Sequence, residues 1–486
     1  MPHSPEPSPY PAAARQYHNF LQQVFPTNLA EETHSPAENS PESELELQAR
    51  WFAGEFGRKF TSTDGKKIEI IQFGHWNHSA GPDFTEVAIL IDGHKTTGSL
   101  EVELEASSWE AHGHGSNPEF DQVVLHVFLA QTQRTKQARF YTRTSEHREV
   151  VQLALEWESL DDWGPRPWNH LPEARLGRCS APLQSMPSER LQSLISAAAQ
   201  YRLQSKAQRL LSVAQIHGDH EALFQALAEA LGFVHNRLAM RVLSQRLPLS
   251  LLLKLSDTER ETYLFGAAGY IDFEHYQNSQ EETTRLYLKE LWQTWWQYQN
   301  RFDTSEERRL HWHLAGIRPL NHPQRRLAAL LCIVNHWQQL IQTLQEGELE
   351  PELTIKKLKD YFASLQHPFW NYHYTLRSQA TNKSMALVGQ DRMQDILGNV
   401  LFPWLTRHSS DAWQNYTQLP GSQVNEKLRR ACLRLFGSDE ASIQRAKLNR
   451  RYYFQQQALL QIYNDFCLAD SSECQDCPFP EQLSQW

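Results

Sequence analysis

The chain has 486 residues, of which 40% are hydrophobic and 21% are charged, and its formal net charge is −10. This length allows two or three domains with a sizeable core, and the negative balance excludes a global basic field for nucleic acid while leaving local basic clusters open. Because no apolar run approaches the roughly 18–20 residues that span a bilayer and the N-terminus lacks the layout of a secretory signal, we expect a cytoplasmic protein that does not enter a membrane.

The first 43 residues are rich in proline, serine and glutamate. A segment of this composition has too little apolar surface to form a core of its own. We therefore expect residues 1–43 to form a flexible, acidic and proline-rich leader, with at most one short helix around residues 17–25.

The order of the next predicted elements indicates a small α/β domain over residues 44–157. Apolar residues at helical spacing predict a helix over 44–56, and shorter apolar or alternating runs predict strands. These strands cover residues 67–73, the two arms of a hairpin, residues 122–130 and residues 149–156, with a short helix near residue 107. A proline-rich linker over 158–186 then precedes an irregular α-helical domain over 187–486, so we expect an α+β protein.

The predicted hairpin carries a group of carboxylates. Its arms meet at Asp92-Gly93, a strong hairpin signal, and the second arm places Glu101, Glu103 and Glu105 on one face of a strand. Folding the hairpin brings Glu101 and Glu103 towards Asp83 at the start of the first arm. Either this is a solvated acidic face, or Asp83 and Glu101 bind Mg²⁺ or Mn²⁺, and the cation activates water for phosphodiester cleavage.

Histidines follow within the same predicted domain. The His112-x-His114 pair comes after the short helix, where two imidazoles can bind a metal or transfer protons near neutral pH. His126 lies within an apolar strand, where a hydrogen-bonded core histidine is the commoner situation. Together with Asp121, His112 and His114 also allow a metal-dependent hydrolase that acts on something other than nucleic acid.

Three cysteines close the chain, as Cys467-x₆-Cys474-x₂-Cys477. A C-x-x-C pair in a loop is a common chelating arrangement for Zn²⁺ or an iron–sulfur cluster, and Cys179 is the best candidate for a fourth ligand. The alternative is that all six cysteines are free thiols. The remaining two, Cys332 and Cys432, lie in apolar helical patterns and are expected to be core thiols.

Arginines cluster around a predicted helix start in the α-helical region. Arg318-Pro319 begins a rigid turn that leads into a helix predicted over residues 324–344, whose second and third residues are Arg325 and Arg326. These bases could meet nucleic-acid phosphates at the helix N-terminus. Alternatively, Arg318 pairs with a carboxylate and has a structural role.

The carboxylate hairpin resembles the PD-(D/E)XK nuclease superfamily, whose core is α-β-β-β-α-β. Pro82-Asp83 and Glu101-x-Glu103 match the order and spacing of its acidic residues, but Glu103 stands where the superfamily has its lysine. The resemblance implies a Mg²⁺- or Mn²⁺-dependent nuclease in which Asp83 and Glu101 hold the cation, and Glu103 handles the water or a second metal. Glu55 or Glu46 of the first helix would add a further acid, and an inactive scaffold on the same fold is the alternative.

Almost the whole chain also resembles a bacterial family catalogued as domain of unknown function 2851. The resemblance runs from about residue 44 to 480 and ends with the cysteine trio. In the pattern of this family a histidine usually stands at the position of Glu103. The matching phrases are AGPDF at 80–84, GSLEVE at 98–103, SWEAHGH at 108–114, DQVVLHV at 121–127, ALGFVHN at 230–236, LFGAAG at 264–269, RPLNHPQRRL at 318–327 and FWNYHY at 369–374.

Overall fold

The computed structural model of the chain describes residues 11–24, 43–77, 80–130, 141–156, 175–279, 281–301, 309–349, 353–407, 411–437, 451–468 and 474–486. Within these ranges the protein is mixed α+β, with one sheet followed along the chain by helices. No helix of the described residues combines the length and the apolar character that a membrane crossing requires.

One mixed sheet contains all the strands of the described residues. The strands are β1 (Lys59–Thr61), β2 (Lys67–Gln72), β3 (His75–Trp76), β4 (Phe84–Ile91), β5 (His94–Val102), β6 (Val123–Leu129) and β7 (Val151–Leu155). Their spatial order is β1-β2-β4-β5-β6-β7, and the short β3 pairs with β4. Neighbours from β1 to β5 are antiparallel, whereas β5–β6 and β6–β7 are parallel. The longer strands agree with the predicted ones, and β1 and β3 are additional.

The β4–β5 hairpin turns at the predicted dipeptide. Asp92 and Gly93 both have positive φ, at 50° and 84°, which is the conformation of a two-residue hairpin turn that matches the natural twist of the strands. Further along β5, Gly98 lies so close to the next strand that a Cβ there would approach the Gln122 carbonyl oxygen to 2.4 Å. The absence of a side chain therefore lets β5 and β6 come together just before the acidic residues.

Helices make up most of the remaining described chain. They are α1 (Ala12–Val24), α2 (Glu44–Phe52), α3 (Ser108–Ala111), α4 (Ser180–Ser185), α5 (Ser188–His217), α6 (Asp219–Leu231), α7 (Phe233–Arg246), α8 (Leu249–Leu252), α9 (Asp257–Ala267), α10 (Phe273–Gln277), α11 (Glu282–Tyr298), α12 (Pro323–Asn335), α13 (Trp337–Leu349), α14 (Thr354–Ser364), α15 (Gln390–Ile396), α16 (Phe402–Leu405), α17 (Ala412–Gln418), α18 (Glu426–Phe436), α19 (Tyr453–Ile462) and α20 (Phe479–Gln482). The single helix predicted over 324–344 is in fact two, because His336 has non-helical dihedral angles between α12 and α13.

Helix α2 connects the sheet to the helical region. The side chain of Ser43 accepts a hydrogen bond from the Glu46 N–H and so caps the helix, while Leu47, Trp51 and Phe52 are buried against the sheet. On its other side, the Ala49 carbonyl accepts a 3.0 Å hydrogen bond from Gln245 of α7. The sheet and the helices that follow it therefore share one continuous hydrophobic core.

The predicted flexible leader contains a packed helix. In α1, Ala14, Tyr17 and Phe20 are buried, and the Tyr17 hydroxyl donates a 2.8 Å hydrogen bond to Asp465. For residues 11–24 the expectation of flexibility is therefore wrong, because the aromatic side chains reach a core that other parts of the chain provide. Residues 1–10 and 25–42 of the leader, and residues 157–174 around the predicted linker, lie outside the described residues.

Candidate functional site

Asp83 and Glu101 hold the open end of the β4–β5 hairpin. Asp83 immediately precedes β4, and its backbone N–H donates a 2.9 Å hydrogen bond to Oε2 of Glu101. In return, Oδ2 of Asp83 accepts a 3.0 Å hydrogen bond from the Val102 N–H. This reciprocal pair fixes the orientation of the Glu101 carboxylate, and it explains why an acid is needed directly before the strand.

Glu101 and Glu103 are buried, so the interpretation of this strand as a solvated acidic face is wrong. Their residues are 6% and 1% exposed, whereas Glu105, which lies beyond the end of β5, is exposed. Burying two carboxylates is costly unless they are paired with charges or hydrogen-bond donors. The neighbours of Glu103 must therefore compensate its buried charge.

Three imidazoles surround the Glu103 carboxylate. Oε1 lies 2.9 Å from Nδ1 of His112 and 3.4 Å from Nε2 of His114, and Oε2 lies 2.9 Å from Nε2 of His126. His114 Nε2 is also 3.3 Å from Oε1 of Glu101. Glu103 is thus the shared partner of three histidines that come from the crossover after β5 and from the next strand, β6.

The crossover between β5 and β6 places His112 and His114. Helix α3 ends at Ala111, Gly113 follows with a φ of 75°, and a 3₁₀ turn begins at His114. The His114 ring stacks on Phe120 with ring centroids 3.9 Å apart. Packing thus fixes His114, while the side chain of His112 remains 53% exposed and faces solvent.

His126 lies behind Glu103 in the centre of the sheet. It is fully buried in β6, and its Nδ1 lies 2.7 Å from the hydroxyl of Thr142, which also accepts a hydrogen bond from Gln152. If the Thr142 hydroxyl donates to Nδ1, a neutral His126 carries its proton on Nε2, facing Glu103. The contact between His126 and Glu103 is short but poorly aligned, so both atoms lack a well-directed hydrogen bond.

The charges of this group shift the titration of its members. Burial acts to raise the pKa of Glu103, but hydrogen bonds from His114 and His126 outweigh it and lower the pKa. Burial acts to lower the pKa of His114, but Glu101 and Glu103 raise it to about 9. Without a cation, His114 therefore keeps a proton at neutral pH beside the Glu103 carboxylate, and a cation bound at His114 would displace that proton.

Glu44 is a further acid at this site that the sequence did not indicate. Burial, together with the charges of Glu101 and Glu103, raises its pKa to about 7, and its Oε1 accepts a 3.0 Å hydrogen bond from Gln48. It occupies the first turn of α2. The sequence signal that could have pointed to Glu44 is its spacing of four residues from Gln48. This spacing places both side chains on one face of the helix.

The sequence also suggested three other acids for a site, Glu55, Asp121 and Glu46, and these have different surroundings. Glu55 contacts Arg50, Arg209 and Arg241, and so ties α2 to the helical region. Asp121 accepts hydrogen bonds from the backbone and hydroxyl of Ser145. The Glu46 N–H donates to the Ser43 hydroxyl in the capping turn of α2. The acid of this helix that interacts with Glu101 and Glu103 is Glu44.

The ligand atoms of Glu103, His112 and His114 lie within 4.8 Å of one another, a spacing that a single metal ion can bridge. Glu101 presents Oε1 to the same His114 nitrogen. The donor set is two carboxylates and two imidazoles. Carboxylates suit Mg²⁺ and Mn²⁺, and imidazoles suit transition metals, so the combination fits Mn²⁺ better than Mg²⁺.

The four cysteines predicted to bind metal lie in one region. Arg178, which precedes Cys179, donates hydrogen bonds to the backbone carbonyls of Cys474 and Cys477, and the charge of Cys179 acts on Cys467. None of the six cysteines forms a disulfide. Cys332 and Cys432 are buried in the core, as their helical pattern predicts.

Arg325 and Arg326 are not available to phosphates. Arg325 is 0% exposed and donates hydrogen bonds to the carbonyls of Trp370, His373 and Ala386. Arg326 is buried beside it and donates to Asn321 and to the Leu387 carbonyl. The prediction that both contact nucleic acid is therefore wrong, because loop carbonyls occupy the guanidinium groups. Arg318 alone of the three is exposed.

Comparison with known proteins places the whole arrangement in a family. No curated protein and no solved structure matches the chain. The profile of one family, described as a protein of unknown function (DUF2851), matches residues 44–426. This match contains the sheet, Glu44, the carboxylate–histidine group and most of the helices. The chain therefore belongs to the DUF2851 family.

Proposed function

We propose that the protein is a metal-dependent nuclease whose centre is formed by Glu101, Glu103, His112 and His114. The observation that carries the proposal is the convergence of two buried carboxylates and two imidazoles at the end of one hairpin. Desolvating such groups is costly, and acids held beside specific charge partners in this way are frequent at functional sites.

The order of elements around the site supports a nuclease over other hydrolases. With the short β1 and β3 left aside, the chain order is α2, the antiparallel strands β2, β4 and β5, the crossover with α3, and the parallel strand β6, or α-β-β-β-α-β. This is the order of the PD-(D/E)XK core, with the acids at the expected strand ends. The short α3 is a departure, since the crossover consists mainly of turns.

A divalent cation at this centre would activate a water molecule and stabilise the negative charge that develops on a phosphodiester during cleavage. The chain's own residues have distinct roles around it. Asp83 orients the Glu101 carboxylate through the two backbone hydrogen bonds. Glu103 positions His112, whose exposed ring faces the solvent side of the site. Glu44 contributes a further carboxyl group whose proton is in exchange near neutral pH.

Glu103 stands where the superfamily has a lysine, and the histidines offer a physical replacement for it. With Nδ1 directed at Glu103, His112 keeps its Nε2 free of this contact and open to solvent. An imidazole held by a carboxylate is a good proton acceptor near neutral pH. We infer that Glu101, Glu103 and His114 would hold the cation and that the solvent-facing Nε2 of His112 would accept the proton of the attacking water.

The proposal is tested by incubating the purified full-length protein with labelled single-stranded, duplex and branched DNA and with RNA. We expect cleavage with Mn²⁺, less with Mg²⁺ and none with a chelator. Glu101→Gln should abolish cleavage, whereas Glu105→Gln, which changes an exposed residue three positions after the end of β5, should retain it. If every substrate stays intact under all metal conditions, the protein is not a nuclease of this kind.

A scaffold without catalysis is the second candidate function. It is favoured by the number of contacts that Glu103 makes, since three histidines surround one carboxylate and leave it fewer free lone pairs for a cation. In that case the protein would bind nucleic acid without cleaving it, and Glu101→Gln would leave the binding affinity unchanged.

A further inference from the structure

Cysteines from three parts of the sequence meet where the C-terminal residues pack on α4. One Nη1 atom of Arg178 lies 3.0 Å, 2.8 Å and 3.4 Å from the backbone oxygens of Cys474, Gln475 and Cys477. The next residue, Cys179, belongs to the same buried cluster as Cys477. A single guanidinium thus holds the C-x-x-C loop against the residue that precedes α4.

Packing brings the cysteines of this group to one region. Cys179, Cys467 and Cys477 are buried, and Cys474 is partly exposed. Phe466, next to Cys467, and Phe479, two residues after Cys477, belong to the same buried cluster as Cys179. Several buried thiols in one region can bind a cation as thiolates.

A buried positive charge lies beside the cysteines. Arg434 of α18 is 2% exposed, and its backbone carbonyl accepts a 2.8 Å hydrogen bond from the N–H of Gly177, two residues before Cys179. A centre with four thiolates carries net negative charge with either Zn²⁺ or an iron–sulfur cluster. A buried guanidinium offsets this negative charge. Hydrogen bonds and charges around the sulfur atoms also set the reduction potential of iron–sulfur centres.

The backbone at two of the cysteines departs from regular structure. Cys474 has a φ of 80°, in the left-handed region that is unfavourable for a residue with a Cβ. Cys467 lies in a π-helical segment, Tyr463–Leu468, that continues α19, and π-helical turns are frequent at functional sites. By contrast, Cys332 and Cys432 lie within α12 and α18, which are regular helices.

We propose that Cys179, Cys467, Cys474 and Cys477 coordinate one thiolate-bound metal centre that fastens the C-terminal residues to α4. The proposal is independent of the nuclease site. Tetrahedral zinc with bonds of about 2.3 Å would place its sulfur atoms roughly 3.8 Å apart. Among the described residues no three of the thiols come within 4.8 Å of one another. Because the four thiolates of an iron–sulfur cluster are spread over two or four irons, such a cluster does not require them to converge on one ion.

The centre would stabilise the second hydrophobic core of the protein. This core joins α1, α4, α5, α18 and α19 through residues such as Phe20, Leu183, Leu194 and Phe466. Phe479, two residues after Cys477, stacks on Phe466 with ring centroids 4.0 Å apart. A metal held by Cys467 and Cys477 would therefore bind the two segments that this aromatic pair brings together.

The test is metal and sulfide analysis of the full-length protein purified without oxygen, together with its visible spectrum. We expect iron and sulfide in stoichiometric amounts per chain, with broad visible absorption. One zinc per chain without absorption would also support the four-cysteine site. Protein that contains neither metal in stoichiometric amount, after purification without chelators and after reconstitution with iron and sulfide or with Zn²⁺, would overturn the proposal.

Variants assign the ligands. Cys474→Ser changes the partly exposed cysteine and should lose the metal while far-ultraviolet circular dichroism is retained. Cys332→Ser is the matched control, because it changes a buried thiol of α12 and should keep the metal. Equal metal content in the Cys474 variant and the wild type would contradict the assignment.

Discussion

Nε2 of the buried His126 lies 2.9 Å from Oε2 of the buried Glu103. Glu103 directly follows β5, and His126 lies within β6, which pairs with β5 in parallel. Thr142 supports the other nitrogen of the ring. A histidine in an apolar strand is therefore part of the candidate site, although it cannot be reached from solvent. It acts through Glu103 as a positioning residue.

Replacing Thr142 by valine should weaken the site without removing any of its ligands. The change keeps the shape of the side chain and removes the hydrogen-bond partner of His126 Nδ1. Loss of such supporting contacts typically lowers metal affinity about 10–100-fold. Mn²⁺ titration followed by calorimetry measures the effect, and Thr144→Val, a buried residue in the same segment, is the control. Equal Mn²⁺ affinity in both variants would argue against the positioning role.

Mn²⁺ should raise the melting temperature of the wild-type protein through its binding to the native state. At a concentration 100 times the dissociation constant, the gain in stability is about 2.7 kcal/mol. Glu103→Gln should abolish this gain, because it removes a ligand that is 1% exposed, and Glu105→Gln should preserve it. Thermal melts with and without Mn²⁺ provide the measurement, and a similar shift in all three proteins would place the metal elsewhere.

Glu55 should make the stability of the protein depend on acidic pH. Burial acts to raise its pKa, but Arg241, Arg209 and Arg50 outweigh it and hold the pKa at about 2. Because the folded pKa lies below the unfolded value of about 4.3, the contribution of Glu55 is fully present above pH 4.3 and is lost as pH falls towards 2.

The variant Glu55→Gln should lose this dependence. At neutral pH it leaves buried guanidinium groups without a counter-charge and should cost about 3–5 kcal/mol. Below pH 3 the difference from the wild type should shrink. Urea unfolding at several pH values measures it, with the exposed Glu69→Gln as the control. A constant difference from pH 2 to 7 would show that the ion pairs do not carry the effect.

Helix α1 should contribute to global stability. Phe20 is buried against Phe466, Phe479 and Trp486, so Phe20→Ala should cost about 3–5 kcal/mol. The exposed Gln23→Ala of the same helix is the control and should change the stability by less than about 0.5 kcal/mol. Denaturant unfolding compares the two, and equal midpoints would mean that α1 is detached in solution.

Arg325 and Arg318 should differ in their effect on stability. Arg325→Met leaves three loop carbonyls without their donor, and each unsatisfied buried group costs about 1–3 kcal/mol. Arg318→Gln changes an exposed side chain and should leave the melting temperature unchanged. If the Arg325 variant were as stable as the wild type, the structural role of this arginine would be refuted.

The sequence by itself determined the local elements around the site. Alternation, the Asp92-Gly93 turn and helical spacing were enough to predict β2, β4, β5, β6 and α2, because these signals depend on neighbouring residues. The acids before and along the hairpin, and the histidine pair after it, were predicted as candidates for the same reason. The family was also recognisable from its phrases, and the match over residues 44–426 confirms it.

Only the tertiary structure decided which of these residues meet. The alternation of Glu101, Glu103 and Glu105 is identical in a solvated strand and in a buried site, and the covering of β5 by distant segments buries two of the three. For the same reason the acid near Glu101 and Glu103 is Glu44 and not Glu55. The Arg325 guanidinium likewise donates to loop carbonyls in the interior instead of facing solvent. Burial and long-range pairing depend on contacts between residues far apart in the chain, which local patterns do not contain.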